Sequence, residues 1–292
     1  MPTVLLATFS LCPDGEPGGD LLGPLAARGV DARWARWDDP DVDWAAADLV
    51  AVRSTWDYHR RLPAFLAWAH AVERHTALLN GADVFAWNAD KSYLVELAGL
   101  VPTVPSHPVD DATLVAGLRD GLAAYGAVVV KSRTGASGVG VVVAEGPQDA
   151  RLAGLTAGPW LVQPLVGSVR TRGESSVFVL GGRAVSQVDK RPGGPGGPGG
   201  PGCTEFRVHE QYGGSTRVVP LEPEAERAAL AAMAAAAELL GRPLDYGRVD
   251  LMELDGRPVV GEVELIEPGL YLDVVPGNAA PFAELVRRRT AG

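Results

Sequence analysis

Two short segments near the C-terminus carry charged side chains at alternate positions, Arg248-Val249-Asp250 and Glu262-Val263-Glu264. Alternate residues of a strand share a face, and the Asp255-Gly256 dipeptide between the segments marks a hairpin turn. Loop length decides which side chains meet. A two-residue loop pairs Leu254 with Arg257 and puts Asp250 and Glu262 on opposite faces. A three-residue loop pairs Leu254 with Pro258 and gathers Arg248, Asp250, Glu262 and Glu264 on one face. Three clustered carboxylates repel one another unless a cation sits between them. The spacing therefore predicts the longer loop, with Mg²⁺ held by Asp250, Glu262 and Glu264. Arg248 beside them suits phosphate oxygens bridged by the metal. The competing arrangement is a solvated acidic face salt-bridged by Arg248.

A second chemical feature is the apolar run Val128 to Val130 ending on Lys131, followed by Ser132-Arg133-Thr134-Gly135-Ala136-Ser137-Gly138-Val139-Gly140 and then Val141-Val142-Val143. This is strand, glycine-rich loop, strand. A Walker loop or a dinucleotide fingerprint needs a helix N-terminus at the phosphates, so both are excluded. A loop between two strands can instead fold over a nucleotide as a lid, its free N–H groups and the Ser137 hydroxyl meeting phosphate oxygens. The repeat from Pro192 to Gly202 reads as a solvated loop or as a mobile flap, bracketed by Lys190 and Arg207. None of the five histidines has metal-ligand spacing, and a surface or capping role is expected for each.

The elements that would position these residues alternate along the chain. Val4 to Thr8 and Leu49 to Val52 read as strands, Leu21 to Arg28 and a segment from about Pro63 as helices. Such β-α-β-α order predicts a small parallel, doubly wound unit over 1–86. Ligands of these sheets sit beyond the carboxyl ends of the strands, which places Arg53-Ser54-Thr55-Trp56-Asp57-Tyr58 at a ligand-facing edge. Asp90-Lys91 opens another helical stretch, and Glu222 to Leu240 is an alanine-rich helix closed by Gly241.

Composition narrows the class. The 292 residues carry 26 basic against 36 acidic side chains, a formal charge of −10, with 47% hydrophobic residues. An acidic chain lacks the field for a polyphosphate backbone, so nucleic acid is not an expected partner. No run approaches the roughly 18–20 apolar residues of a membrane span. Met1 to Ser10 reads as a strand without a basic region ahead of it, and Cys12 and Cys203 lie far apart. A cytoplasmic protein without a signal peptide, disulfide framework or zinc site is expected.

Taken in order, Lys91, Lys131, the loop from Ser132 to Gly140, Trp160 to Leu165, Glu174, Arg248-Val249-Asp250 and Glu262-Val263-Glu264 before Pro268-Gly269 resemble the ATP-grasp superfamily over nearly the whole chain. The resemblance implies an α/β fold with an N-terminal Rossmann-like (pre-ATP-grasp) domain at 1–86, a central lobe with the lid at 87–163, and a C-terminal lobe with the metal site at 164–292, the two lobes clasping ATP. It implies that Lys91 and Lys131 hold the α- and β-phosphates and that Ser137 and Gly138 meet phosphate from the lid. Gln163, Pro164, Leu165 and Val166 then meet the adenine edge and Glu174 the ribose. Arg248 would be the catalytic cation. Many relatives carry Asn where Glu264 stands.

Within the superfamily, Arg53 to Tyr58 followed by Trp87-Asn88-Ala89-Asp90-Lys91 resembles the cyclo-ligases of the cycloserine pathway, which close O-ureido-D-serine into a ring. An ADP-forming ligase working through an acyl phosphate is then expected, cytoplasmic and in antibiotic biosynthesis, with Arg53, Ser54, Asp57, Tyr58, Lys190 and Arg207 as its substrate-binding residues. The alternatives are an intermolecular amino-acid or peptide ligase and a small-molecule kinase.

Overall fold

The computed structural model describes residues 1–194 and 205–291. Three sheets organise them. The first is parallel and contains β1 (Thr3–Thr8), β2 (Asp31–Arg36), β3 (Leu49–Ser54) and β4 (Ala77–Leu78), in the order β2-β1-β3-β4. All six residues of β3 are buried, as a strand covered on both faces requires. One face packs on α2 (Leu62–Glu73) and α3 (Ala82–Asn88) through Leu5, Val50, Val52, Phe65 and Phe85. The other packs on α1 (Leu22–Ala26) and the C-terminal helix (Ala279–Thr290) through Leu6, Ala51, Leu25 and Phe282. The chain's end thus completes the fold of its beginning. Sequence pattern missed β2, an edge strand whose Asp31, Arg33, Arg36 mixture carries little apolar alternation.

After the short helix α4 (Tyr93–Leu97), a second sheet is antiparallel in the order β5-β8-β6-β7: β5 (His107–Val109), β6 (Val128–Ser132), β7 (Val142–Ala144) and β8 (Trp160–Pro164). The helix α5 (Leu114–Tyr125) covers one face, burying Val128, Val130 and Val162. The alternate residues, including Val129, Lys131 and Gln163, face a cavity.

Beyond a short turn, α6 (Ser168–Thr171), come β9 (Glu174–Leu180), β10 (Arg183–Arg191), β11 (Ser215–Val219), α7 (Pro223–Leu240), β12 (Tyr246–Leu254) and β13 (Arg257–Glu264). The five strands form an antiparallel sheet, order β11-β10-β9-β12-β13. Val177, Val179, Val249, Leu251 and Val263 pack against the alanine face of α7, which starts at Pro223 and ends at left-handed Gly241. The intervening positions point the other way, toward the cavity. The terminal helix is α8 (Ala279–Thr290). No helix among the described residues is long and apolar enough to cross a membrane.

The β12–β13 hairpin departs from expectation in an instructive way. Its loop has two residues, Asp255 (φ 53°) and Gly256 (φ 74°), and Leu254 pairs with Arg257; the three-residue loop is not formed. The register is instead shifted by a bulge. Leu251 pairs with Val260, but Asp250 pairs with Glu262, leaving Gly261 as the extra residue. Asp250 and Glu262 therefore do meet, and Arg248 lies opposite Glu264.

Candidate active site

A cavity of about 510 Å³ lies between the second and third sheets and the carboxyl end of the first. Its floor is the polar face of the five-stranded sheet. β9 carries Glu174 and Ser176, β10 Lys190, β12 Arg248 and Asp250, and β13 Glu262 and Glu264. Arg248 bonds Asp250 through both Nε and Nη2 at 2.9 Å and also reaches Glu264. Its guanidinium lies 5.4 Å from the centre of the Tyr271 ring. Lys190, 2% exposed, pairs with Glu174 and stands 3.4 Å from Asp250. Ser176 donates its hydroxyl proton to Asp250.

The roof is the glycine-rich loop and the β6–β8 face. Lys91 Nζ donates to Gly135 O at 2.7 Å and pairs with Glu262 at 2.8 Å, so it ties the loop to the acidic floor. Lys131 makes no ion pair with a described residue and lines the cavity. Ser137 (φ 57°) and Gly138 (φ 68°) both adopt left-handed backbone at the loop tip. Gln211 Nε2 donates to Ser137 O at 2.9 Å, and His209 and Tyr212 pack on Gly138. Gln163 bonds Ser106 and lines the cavity with Pro164, Leu165 and Val166.

Electrostatics follow from crowding charges where water is scarce. Burial alone would raise the Asp250 carboxyl, but Arg248 and Lys190 hold it well below the usual carboxylate range. Burial pushes Glu264 up to about 7; Arg248 opposes this, while Asp250 and Glu262 add to it. Glu262 is lowered because Lys91 and Lys131 outweigh its burial. Glu174 is raised by burial despite Lys190. Burial lowers Lys131, and neighbouring Lys91 lowers it further. Burial, Lys190 and Arg248 push His209 down to about 4.

Of the residues expected at the site, the structure brings Lys91, Lys131, Ser137, Gly138, Gln163 to Val166, Glu174, Arg248, Asp250, Glu262 and Glu264 around one cavity. Among the described residues, no three His, Cys, Asp or Glu side chains converge on one point that could hold a metal ion. The three carboxylates are engaged by Arg248, Lys190 and Lys91, the arrangement weighed against a metal site above.

The residues expected to bind substrate divide. Tyr58, Lys190 and Arg207 line the cavity. Arg53 and Ser54, both fully buried, do not: Arg53 donates to Glu16 and to Pro268 O, and Ser54 shares a hydrogen bond with Thr8. Asp57 accepts from Trp37 Nε1 at 2.9 Å and pairs with Arg61, also away from the cavity. Arg207 is held by Glu205 and lies over the Tyr212 ring. The proposed flap falls mostly at 195–204, outside the described residues, as does Cys203. Sequence reading passed over Glu267, which also lines the cavity; Trp56 lines it too, as its place in the Arg53 to Tyr58 segment suggested, and so does His209, expected instead in a surface or capping role. Glu267 stood next to the quoted Pro268-Gly269, and only its burial marks it.

Comparison with known proteins finds relatives that span nearly the whole chain. A family model described as D-cycloserine synthetase DcsG, N-terminal domain, matches residues 4–80. The cycloserine biosynthesis protein DcsG of Streptomyces lavendulae is 32% identical over 286 residues, 92% of each chain. The crystal structure of D-cycloserine synthetase DcsG superposes with a TM-score of 0.85 at 30% identity, covering 99% of each chain. The ATP-grasp ligase PsnB, solved with minimal precursor, Mg and ADP, shares the fold alone, with a TM-score of 0.63 at 17% identity over 99% of this chain and 98% of that one.

Proposed function

The chain belongs to the DcsG family of ATP-grasp ligases, and from that premise we propose that it cyclises an amino-acid derivative of the O-ureido-D-serine type, forming D-cycloserine with release of ADP and phosphate. It is an ATP-dependent ligase. The observation that carries the narrower reading is the likeness to DcsG over nearly the whole chain, and the cavity in which a carboxylate-rich floor faces Lys91, Lys131 and the glycine-rich loop supports the use of ATP.

The donor set suits magnesium in kind: three oxygen ligands, a hard-cation shell, with Glu264 raised to about 7 chiefly by burial and then by the Asp250 and Glu262 charges, which a divalent ion would offset. Glu262 and Glu264 are each 28% exposed, and binding an ion would require them to exchange Lys91 and Arg248 for it. Asp250, Glu262 and Glu264 would hold it, and it would neutralise phosphate charge. The protein's own part is positioning and charge. Lys91 and Lys131 hold phosphate, and the lid N–H groups close over it. Gln163 to Val166 flank the base, and Glu174 reaches the ribose. Arg248 stabilises the phosphoryl group as a carboxylate oxygen of the substrate attacks the γ-phosphorus and ADP leaves. The nitrogen bonded to the side-chain oxygen of the same molecule then attacks the acyl carbon, losing a proton as phosphate departs, and water removes the carbamoyl group left on the ring nitrogen as carbon dioxide and ammonia.

Cyclisation needs one organic substrate. ADP release with O-ureido-D-serine alone, and a product lighter by water or by further small fragments in the mass spectrum, is the expected result. A requirement for a second amine would replace this reading with an intermolecular ligase. Asp250→Asn, folded by circular dichroism, is expected to lose turnover by on the order of a hundredfold or more; near-normal turnover would remove Asp250 from the metal site.

A further inference from the structure

The cavity has a second end that the nucleotide residues leave unused. It lies beyond the carboxyl end of β3, where Trp56 and Tyr58 meet the segment after β13. Every other buried or half-buried glutamate or aspartate around the cavity has a cation: Glu16 has Arg53, Glu174 has Lys190, Asp250 has Arg248, Glu262 has Lys91 and Glu264 has Arg248. Glu267 has none among the described residues, although it is only 8% exposed. Tyr58, 5% exposed, likewise makes no side-chain hydrogen bond with a described residue. A carboxylate and a hydroxyl that line a cavity and that no described side chain engages point to a ligand that completes them.

The backbone that carries Glu267 is fixed from behind. Arg53 Nη2 donates to Pro268 O at 2.8 Å, and Glu16 Oε2 accepts from Leu270 N at 2.7 Å. The buried Arg53–Glu16 pair, packed over Tyr246 and Phe282, therefore clamps this turn. Arg53 thus belongs to the site as a positioning residue, without touching the cavity. We propose that Glu267 and Tyr58 form the subsite for the primary ammonium group of the amino-acid substrate, with Trp56 as its aromatic wall. This rests on the reading of the substrate as an amino-acid derivative. An ammonium supplies the charge that Glu267 lacks and donor protons for its carboxylate and the Tyr58 oxygen, and an aromatic face adds cation–π attraction. The electrostatics agree. Burial and the Glu264 charge push the Glu267 carboxyl up to about 8, and Tyr58 is raised by burial and then by Glu267; Tyr58 and Trp56 pack in one cluster with Ile266, the residue before Glu267.

The test compares O-ureido-D-serine with 3-(ureidooxy)propanoate, which lacks the α-amino group, by calorimetry on the full chain with Mg²⁺ and a non-hydrolysable ATP analogue. Wild type should bind the amino compound at least about tenfold more tightly. Glu267→Gln should reduce that preference to within about threefold and Tyr58→Phe should weaken it, while both bind the ATP analogue as wild type does. A Glu267→Gln protein that keeps the tenfold preference, or a wild type that shows none or binds neither probe, overturns the subsite. If wild type binds with the expected preference but yields no cyclised product in the mass spectrum, the cyclisation reading fails and the subsite stands.

Discussion

Arg248 sits where three demands converge: both its Nε and Nη2 bond Asp250, Nη2 also reaches Glu264, and Tyr271 stacks beneath it. A guanidinium presents donors in a fixed plane, and that plane can serve two carboxylates at once. Tyr271 itself has φ of 52°, a left-handed conformation that a tyrosine rarely adopts. Glu264 and Glu267 set the pH response. Their carboxyls lie near 7 and 8 in the folded protein, against about 4.3 in an unfolded chain. The native state therefore binds more protons than the unfolded state through this window. The stabilising contribution is complete below about pH 4 and is lost as pH rises through 7 to 8. Asp250, held low by Arg248 and Lys190, is ionised throughout and adds no slope there. The melting temperature of the ligand-free protein should fall between about pH 6 and 8, and Glu267→Gln should flatten the fall. An unchanged slope in that variant would show that Glu267 is not the group responsible.

At the scale of elements, the hairpin shows how a carboxylate-rich surface is built. A two-residue turn with both residues left-handed matches strand twist and is the favoured hairpin closure. By itself it would have set Asp250 opposite Gly261. The bulge restores the pairing that three clustered carboxylates had suggested from the sequence. The conclusion about which residues meet was legible, but the local device was not: a glycine in a strand is compatible with several backbone paths. A second device is a pair of buried amides. Asn80 Nδ2 donates to Tyr246 O and Leu265 O, and its Oδ1 accepts from Asp245 N. Asn88 Nδ2 donates to Val263 O and its Oδ1 accepts from Leu265 N. These two side chains fasten the segment that leaves the first sheet to β12 and to the end of β13, just behind the carboxylates. Asn80 also has φ of 63°, which asparagine tolerates better than alanine. Asn80→Ala should cost roughly 3 kcal/mol, from several buried partners left unpaired, and lower Tm by roughly 5–10 °C. A loss under 1 kcal/mol by denaturant titration would mean these bonds are replaced in the variant.

Across the whole molecule, the lid loop and the 209–212 segment come from different sheets and meet over the cavity, through Gln211 on Ser137 and His209 on Gly138. A Cβ on Gly138 would stand 3.1 Å from His209 Nδ1, at a φ of 68° that disfavours any other residue. Gly138→Val should hold the lid open and raise KM for ATP about tenfold or more, with little change in Tm; Gly146→Val, where a Cβ meets nothing within 4 Å, should leave KM unchanged. Equal KM values for the two variants would separate the lid contact from nucleotide binding.

The sequence by itself determined the superfamily, most of the order of the elements, and the cations and carboxylates that line one cavity. Each of these is written locally, in strand alternation, in the strand–glycine-loop–strand order, and in residue types that charge chemistry restricts. Only the tertiary structure decided the substrate end. Arg53, Ser54, Asp57 and Tyr58 are neighbours in one segment, yet only Tyr58 lines the cavity. Arg53 finds its partners at Glu16 and Pro268, at opposite ends of the chain. Burial and charge pairing are properties of what packs around a residue, and for this end of the cavity the packing comes from residues some two hundred positions apart.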